Sequence, residues 1–153
     1  SFAFSQAVPA VKEGFYPDAI STDIHIGSMN AAMKDMLEVM NKFIAMGMPF
    51  NEVIKASTWN PAQIIKREEL GNLSVGAPAD IAVLGIRKGD FGFFDYVGYK
   101  LKGDQRLECE VTVRDGEIVY NLNGRAEPMN VDYRKFLRQE NIRRQTGTGN
   151  RPH

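Results

Sequence analysis

The sequence predicts an α/β chain in which neither half is complete. A β-leaning segment at residues 18–25 lies among helical patterns that continue to about Lys66, and glycine-punctuated apolar segments follow from about Gly71. This alternation of strand and helix, followed by an all-β part, predicts two architectures in one chain. One strand cannot close a sheet, and a few strands with mixed apolar faces would leave an edge open. We therefore expect further sequence to pair with this chain.

The first elements follow from capping and strand signals. Ser5 is expected to cap a short helix that ends before Gly14, because a serine oxygen can accept a hydrogen bond from an unpaired amide at a helix start. Pro9 is tolerated because it falls early in that helix. Residues 18–25 then have the composition of a short strand, and the glycine and polar residues after them are typical of a loop that leads into a helix.

Helical signals continue from Ala31 onwards. Apolar residues recur at helical spacing and stop before Gly47 and Pro49, which terminate helices; they are Met33, Met36, Leu37, Met40, Phe43 and Ile44. The methionines of this stripe are expected in the core. Asn51 is expected to cap a second helix, and Asn60–Pro61 a third, with proline at the first helical position.

β-structure is predicted in the second half. Residues 111–120 have a hairpin signature, because the pair Asp115–Gly116 readily adopts the left-handed backbone of a tight turn. Residues 87–106 mix glycines with aromatic residues, which fits an irregular loop or a further hairpin, and the sequence leaves both open. Beyond Gly124 an apolar pattern predicts a last helix that contains Tyr133, Phe136 and Leu137.

Composition and charge exclude several classes of protein. The 19 basic residues balance 19 acidic ones, so no global charge favours a nucleic acid or an anionic membrane as partner. Cys109 is the sole cysteine, which excludes an intramolecular disulfide and fits a reducing compartment. No apolar stretch reaches the roughly 18 residues of a membrane span, and the N-terminus lacks a signal-peptide pattern. We expect a cytoplasmic protein with neither nucleic acid nor membrane as partner.

The main candidate for chemistry is Asp23, two residues before His25. Two such side chains on a strand point to the same side and can share one site. A carboxylate there can bind a divalent cation and take a proton from metal-activated water. Spacing alone favours the alternative, in which Asp23 caps the following loop and His25 is a surface or hydrogen-bonded residue. The other histidine is the terminal His153, so this chain assembles no three- or four-ligand metal cluster.

Three motifs follow one another along the chain, namely Ile20–His25 (ISTDIH), Ala56–Ala62 (ASTWNPA) and Gly71–Leu84 (GNLSVGAPADIAVL). Their order and spacing resemble the amidohydrolase superfamily, up to about Tyr120. Within it, the chain is similar to the dihydroorotase-like deacetylase branch, whose enzymes hydrolyse acetylated hydroxy acids and N-acyl amino acids. The resemblance implies a small-molecule acyl ester or amide as substrate.

The resemblance also implies a fold. The family has a (β/α)8 TIM barrel attached to a small composite β-sandwich built from both ends of the chain. Residues 1–66 would then be the end of the barrel, with its last strand at 16–25 and the helices after it. Residues 67–123 would supply the C-terminal strands of the β-sandwich, and residues 124–153 a C-terminal helix and a frayed tail.

The family's site maps onto one segment of this chain. Asp23 matches the aspartate that ends the last barrel strand, where it is a metal ligand and the general base. By the same analogy His25, Gly27 and Ser28 line the pocket and contact substrate. The cofactor would be one or two divalent cations, which we expect to be zinc.

The family's other ligands, a His-x-His pair, a bridging carboxylated lysine or glutamate and two further histidines, have no counterpart here. We therefore expect a C-terminal portion of an enzyme, inactive as an isolated fragment, whose partner is the N-terminal portion of the same enzyme; a homo-oligomer is left open. Two alternatives also stay open, a related deaminase and a non-catalytic module that pairs its strands with another chain.

Overall fold

A computed structural model describes residues 2–30, 33–126, 138, 141 and 142. By internal contacts the chain divides into two units, Ser1–Leu122 and Asn123–His153, and the predicted last helix with Tyr133, Phe136 and Leu137 lies outside the described residues. Within those described ranges, no helix is long and apolar enough to span a membrane. The account below concerns the first unit.

Five helices precede the sheet in the described part of this unit: α1 (Phe4–Lys12), α2 (Ile26–Asn30), α3 (Met36–Met46), α4 (Phe50–Ser57) and α5 (Trp59–Ile64), with a short 3-10 turn at Glu68–Leu70. Helix α1 confirms the first predicted helix and contains Pro9, but it begins after Ala3 and without a side-chain cap. The prediction that Ser5 caps it is therefore wrong, because the helix begins at Phe4 and Ser5 lies inside it.

Helix α3 confirms the long amphipathic helix and corrects its start. Asp35 Oδ1 accepts a hydrogen bond from the Glu38 N–H at 2.7 Å, which caps the helix, so the helix begins at Met36 and not near Ala31. Gly47 ends it as predicted, with φ of 101°. Met33 and Met40 are buried, which confirms the core role of the methionine stripe.

The two predicted asparagine caps are wrong. Helix α4 begins at Phe50 after Pro49, with no side-chain cap, so that Asn51 lies inside the helix. Helix α5 begins at Trp59, and the Asn60 amide instead donates to the Asp18 carbonyl at 2.8 Å. The Asn60 side chain thus bonds a residue 42 positions away along the chain and does not cap the helix start.

Three antiparallel strands form one sheet in the order β1 (Ile81–Phe94), β2 (Lys100–Arg114) and β3 (Glu117–Asn121). The β2–β3 hairpin is confirmed: Arg114 pairs with Glu117, and Asp115 and Gly116 both have positive φ, 50° and 79°. Residues 87–106, for which a loop and a hairpin were both open, form the hairpin between β1 and β2.

The turn between β1 and β2 is held by Asp95, which is 4% exposed. Its Oδ1 accepts hydrogen bonds from the N–H groups of Val97 (3.0 Å) and Tyr99 (2.8 Å), and its Oδ2 accepts one from the Phe4 N–H (2.9 Å). Burial raises the pKa of this carboxyl, but the backbone donors lower the pKa further, so that it lies below its ordinary value. Asp95 therefore ties the start of α1 to the hairpin turn.

The core lies where α3 packs on the sheet. Its buried members include Phe4, Val39, Phe43, Val53, Phe93 and Leu107. Asn41, 1% exposed, faces the backbone of β2: its Oδ1 accepts from the Leu107 N–H at 2.7 Å and its Nδ2 donates to the Leu107 carbonyl at 3.2 Å. This amide pairs with β2 as a neighbouring strand would, in the stretch that β3 does not reach.

Residues 18–25, for which a strand is predicted, form no strand in this structure. In the described ranges the one sheet consists of β1, β2 and β3, and strand pairing needs a neighbour. The Ile20 N–H instead donates to the Ala56 carbonyl in α4, at 2.9 Å. The α/β class is confirmed, whereas the barrel strand, the sandwich and the domain boundaries at residues 66 and 123 stay predictions.

Candidate active site

Asp23 lies at a sharp turn of the backbone. The chain runs without regular structure from Tyr16 to His25 and is anchored by Ile20, whose side chain is buried. Asp23 itself is exposed and has a φ of 49°, a left-handed conformation that aspartate adopts more readily than most residues. The alternation of an extended strand therefore does not hold at this point, and the prediction that a strand turns Asp23 and His25 to one side is wrong.

The Ser28 side chain forms hydrogen bonds back to the start of the loop that runs from Asp23 to Ser28. Its side chain is buried, at 3% exposure, and its Oγ accepts a hydrogen bond from the His25 N–H at 2.8 Å. The same hydroxyl lies 2.8 Å from the Asp23 carbonyl oxygen and 3.0 Å from that of His25. A hydroxyl has one proton to donate, and the shorter contact favours Asp23 as its acceptor.

His25 caps helix α2 with its ring. Its Nδ1 accepts hydrogen bonds from the Gly27 N–H at 3.0 Å and from the Ser28 N–H at 3.3 Å. Together with the bond from the His25 N–H to Ser28 this is a reciprocal capping box, with imidazole and hydroxyl in place of the usual hydroxyl and carboxylate. Because Nδ1 accepts, we assign the proton of the neutral ring to Nε2.

Gly27 leaves the space that the imidazole occupies. A Cβ at this position would lie 2.9 Å from Cε1 and 3.2 Å from Nδ1 of His25. Any other residue would therefore push the ring away from the two N–H groups that it caps. Neither α2 nor this box is predicted by the local sequence pattern. The spacing of three between His25 and Ser28 was the available signal, but the residue types are unusual for a capping box.

Asp23 could bind a divalent cation only as one ligand of a larger set. Over the described ranges, no three histidine, cysteine, aspartate or glutamate side chains lie close enough together to hold a metal ion. Asp23 offers an exposed carboxylate of the type that zinc accepts, whereas Nδ1 of His25 is engaged by two backbone donors. Any metal at Asp23 must take its remaining ligands from outside the described residues. The substrate contacts predicted for His25, Gly27 and Ser28 stay predictions.

Comparisons with known proteins agree on one family. The sequence profile of the amidohydrolase family matches residues 4–119. A deacetylase of Brucella anthropi is 40% identical over 119 residues, which are 78% of this chain and 30% of that protein. Among solved structures, a dihydroorotase superposes with a TM-score of 0.72 at 33% identity and an adenine deaminase with 0.73 at 29% identity; each match covers 79% of this chain and 33% of the other.

The chain thus spans about a third of the length of each of these relatives. The family profile covers most of the 153 residues, including the Asp23–Ser28 loop and all three strands apart from the last two residues of β3. The chain belongs to the amidohydrolase family.

Proposed function

We propose that these residues complete the active site of a metal-dependent amidohydrolase that removes the acyl group from an acetylated hydroxy acid or an N-acyl amino acid. The observation that carries the proposal is the exposed Asp23 carboxylate, which stands on a loop fixed by hydrogen bonds. Identity of 40% to a deacetylase supports the choice of reaction.

In this proposal Asp23 is a metal ligand and the general base. One or two zinc ions, when bound, lower the pKa of water to about 7 and polarise the scissile carbonyl. An Asp23 carboxylate oxygen takes the proton from the attacking water and delivers it to the leaving oxygen or nitrogen of the substrate. The exposed position of Asp23 suits this exchange, since the carboxylate must reach solvent and substrate in turn.

The remaining ligands would come from sequence outside these residues. Two features support such a partner. Strand β3 leaves a run of apolar side chains exposed, Ile118, Val119 and Tyr120, and both outer strands of the sheet, β1 and β3, have an open edge in the described ranges. Exposed apolar strands and open edges are surfaces that another segment covers in a stable protein.

The test uses the polypeptide translated from the whole reading frame that contains residues 1–153, hereafter the complete polypeptide. With saturating zinc, it should release acetate from acetylated hydroxy acids or acylamino acids. Asp23→Asn should lower kcat by at least about a hundredfold, because general acid–base catalysis contributes on the order of 10²–10⁴. Asp18→Asn, the same change at an exposed aspartate five positions earlier, should leave kcat within about twofold.

Wild-type turnover in Asp23→Asn would overturn the role of Asp23. If the complete polypeptide hydrolyses neither class of substrate, the deacylase activity is wrong. An upstream reading frame without a His-x-His motif would then favour the non-catalytic module.

A second candidate is hydrolytic deamination, favoured by the superposition on an adenine deaminase with a TM-score of 0.73. Asp23 would hold the same place in that reaction, because water again attacks a planar carbon and the proton passes to a nitrogen leaving group. Ammonia release from adenine without acetate release from acyl substrates would select this candidate.

A further inference from the structure

We infer that His25, Gly27 and Ser28 are positioning residues that fix the backbone of Asp23, and that they do not contact the substrate. The inference rests on the proposed function of Asp23 and goes beyond it, since it assigns a positioning role to three further residues. Its basis is the reciprocal box between His25 and Ser28, together with the space at Gly27.

The polar atoms of the box are already used within the loop. Ser28 Oγ accepts from the His25 N–H and donates to a carbonyl of the loop, with the Asp23 oxygen nearest. Ser28 is 3% exposed, so a substrate could reach its hydroxyl only by breaking these bonds. Nδ1 of His25 is held by two backbone N–H groups. Ser28 thus holds the two peptides on either side of Ile24, and the His25 ring holds the first amides of α2, from which the Ser28 side chain projects.

Asp23 gains from such support because aspartate, although it enters the left-handed region more readily than most residues, is still more stable at negative φ. A non-glycine residue in the left-handed region persists only where its surroundings hold it there, and Asp23 has a φ of 49°. The Ser28 hydroxyl, 2.8 Å from the Asp23 carbonyl oxygen, is a contact within the loop that supports this conformation. Release of that bond would let the backbone relax and would swing the carboxylate, and a displacement of about 1 Å at a catalytic group can cost on the order of a hundredfold in rate.

Two substitutions of His25 separate positioning from substrate contact. In His25→Asn the amide oxygen can take the place of Nδ1 and cap the same two N–H groups, while the donor at Nε2 is lost. In His25→Gln the longer amide can place an N–H near the Nε2 position, while the cap is lost. We expect the complete polypeptide with His25→Asn to keep kcat within about threefold, and His25→Gln to lose tenfold or more, with KM unchanged in both.

Ser28→Ala should likewise lower kcat by tenfold or more at unchanged KM. Its control is Ser57→Ala in α4, which also removes a hydroxyl bonded to a backbone carbonyl, that of Val53 at 2.6 Å, and should leave kcat unchanged. Gly27→Ala should lower kcat in the wild-type background and have a much smaller effect beside His25→Asn, because asparagine has no atom at the Cε1 position that the new methyl would meet. Rates are normalised to the native fraction measured by near-ultraviolet circular dichroism.

Two kinetic outcomes would overturn the inference. One is a His25→Gln enzyme as active as His25→Asn, and the other is a set of His25 and Ser28 variants that raise KM and leave kcat unchanged. A readout independent of activity is the nitrogen chemical shifts of the His25 ring, which should show an unprotonated Nδ1 and a protonated Nε2. The opposite tautomer would also overturn it. If Asp23→Asn is silent while the ring has the expected tautomer, the proposed function fails and the capping geometry stands.

Discussion

Replacing Asn41 by alanine should destabilise the packing of α3 on the sheet more than any comparable loss of a surface amide. Asn41 is 1% exposed, and its single side chain satisfies both the N–H and the carbonyl of Leu107, at 2.7 and 3.2 Å. Alanine would leave these two backbone groups without a partner in a buried position. Strand β3 cannot replace the amide, because it begins to pair with β2 only at Val111.

The expected loss follows from the number of orphaned groups. Each buried backbone group left unpaired costs about 1–3 kcal/mol, so two groups cost about 3 kcal/mol after partial relaxation and entry of water. With a urea dependence of about 2 kcal/mol per molar, the unfolding midpoint should fall by roughly 1.5 M. Asn51→Ala removes an exposed amide and should move the midpoint by less than about 0.25 M, the equivalent of 0.5 kcal/mol.

Urea unfolding followed by circular dichroism measures both midpoints, and amide hydrogen exchange locates the effect. In Asn41→Ala the Leu107 amide should exchange much faster, while amides in the β2–β3 turn should change little. The reasoning is refuted if the two variants have the same midpoint, or if the Leu107 amide keeps its wild-type protection. The bidentate pairing would then add nothing to what packing of the apolar residues supplies.

Three further predictions concern pH, the hairpin turn and the metal. The pKa of Asp95 is lower in the folded chain than in the unfolded one. Its contribution to stability is therefore present above about pH 4 and is lost as the pH falls through the folded-state pKa. The difference in urea midpoint between wild type and Asp95→Asn should narrow from pH 7 to pH 3, and a constant difference would contradict this. Gly116→Ala forces a side chain onto a φ of 79° and should cost about 1 kcal/mol, seen as a midpoint about 0.5 M lower; an unchanged midpoint would mean that the turn tolerates the side chain. The 153-residue chain should retain less than one equivalent of zinc after dialysis against zinc, as measured by atomic absorption, because one carboxylate supplies too few ligands. Stoichiometric zinc that chelators remove would contradict this.

Local signals in the sequence predicted the elements that local chemistry determines. The Asp115–Gly116 turn formed where it was expected, because both residues tolerate the left-handed backbone that a two-residue hairpin turn demands. Helix α3 ended at Gly47 for the same reason. In each case the information lies within four or five neighbouring residues.

Elements that depend on distant partners were not predictable in this way. Residues 18–25 have the composition of a strand, but a strand exists only where another strand accepts its hydrogen bonds, and here the Ile20 N–H meets α4. Asn60 was expected to cap α5, but the helix begins one residue before it, and its amide donates to the distant Asp18 carbonyl. Asn41 looked like an ordinary polar position of an amphipathic helix until β2 was placed against it.

The candidate site combines both kinds of information. The order of three motifs predicted the family, which is confirmed, and the role of Asp23, which stays a prediction. The spacing of Asp23 and His25 taken alone favoured a capping role. In the structure His25 does cap a helix. This capping supports the proposal for Asp23. A catalytic carboxylate on an exposed turn would lose its orientation if the turn could relax, and the left-handed φ of Asp23 makes relaxation favourable unless something opposes it. The box from His25 to Ser28 opposes it with hydrogen bonds that lie within six residues. These bonds within the loop therefore favour the backbone conformation that the proposed role of Asp23 requires.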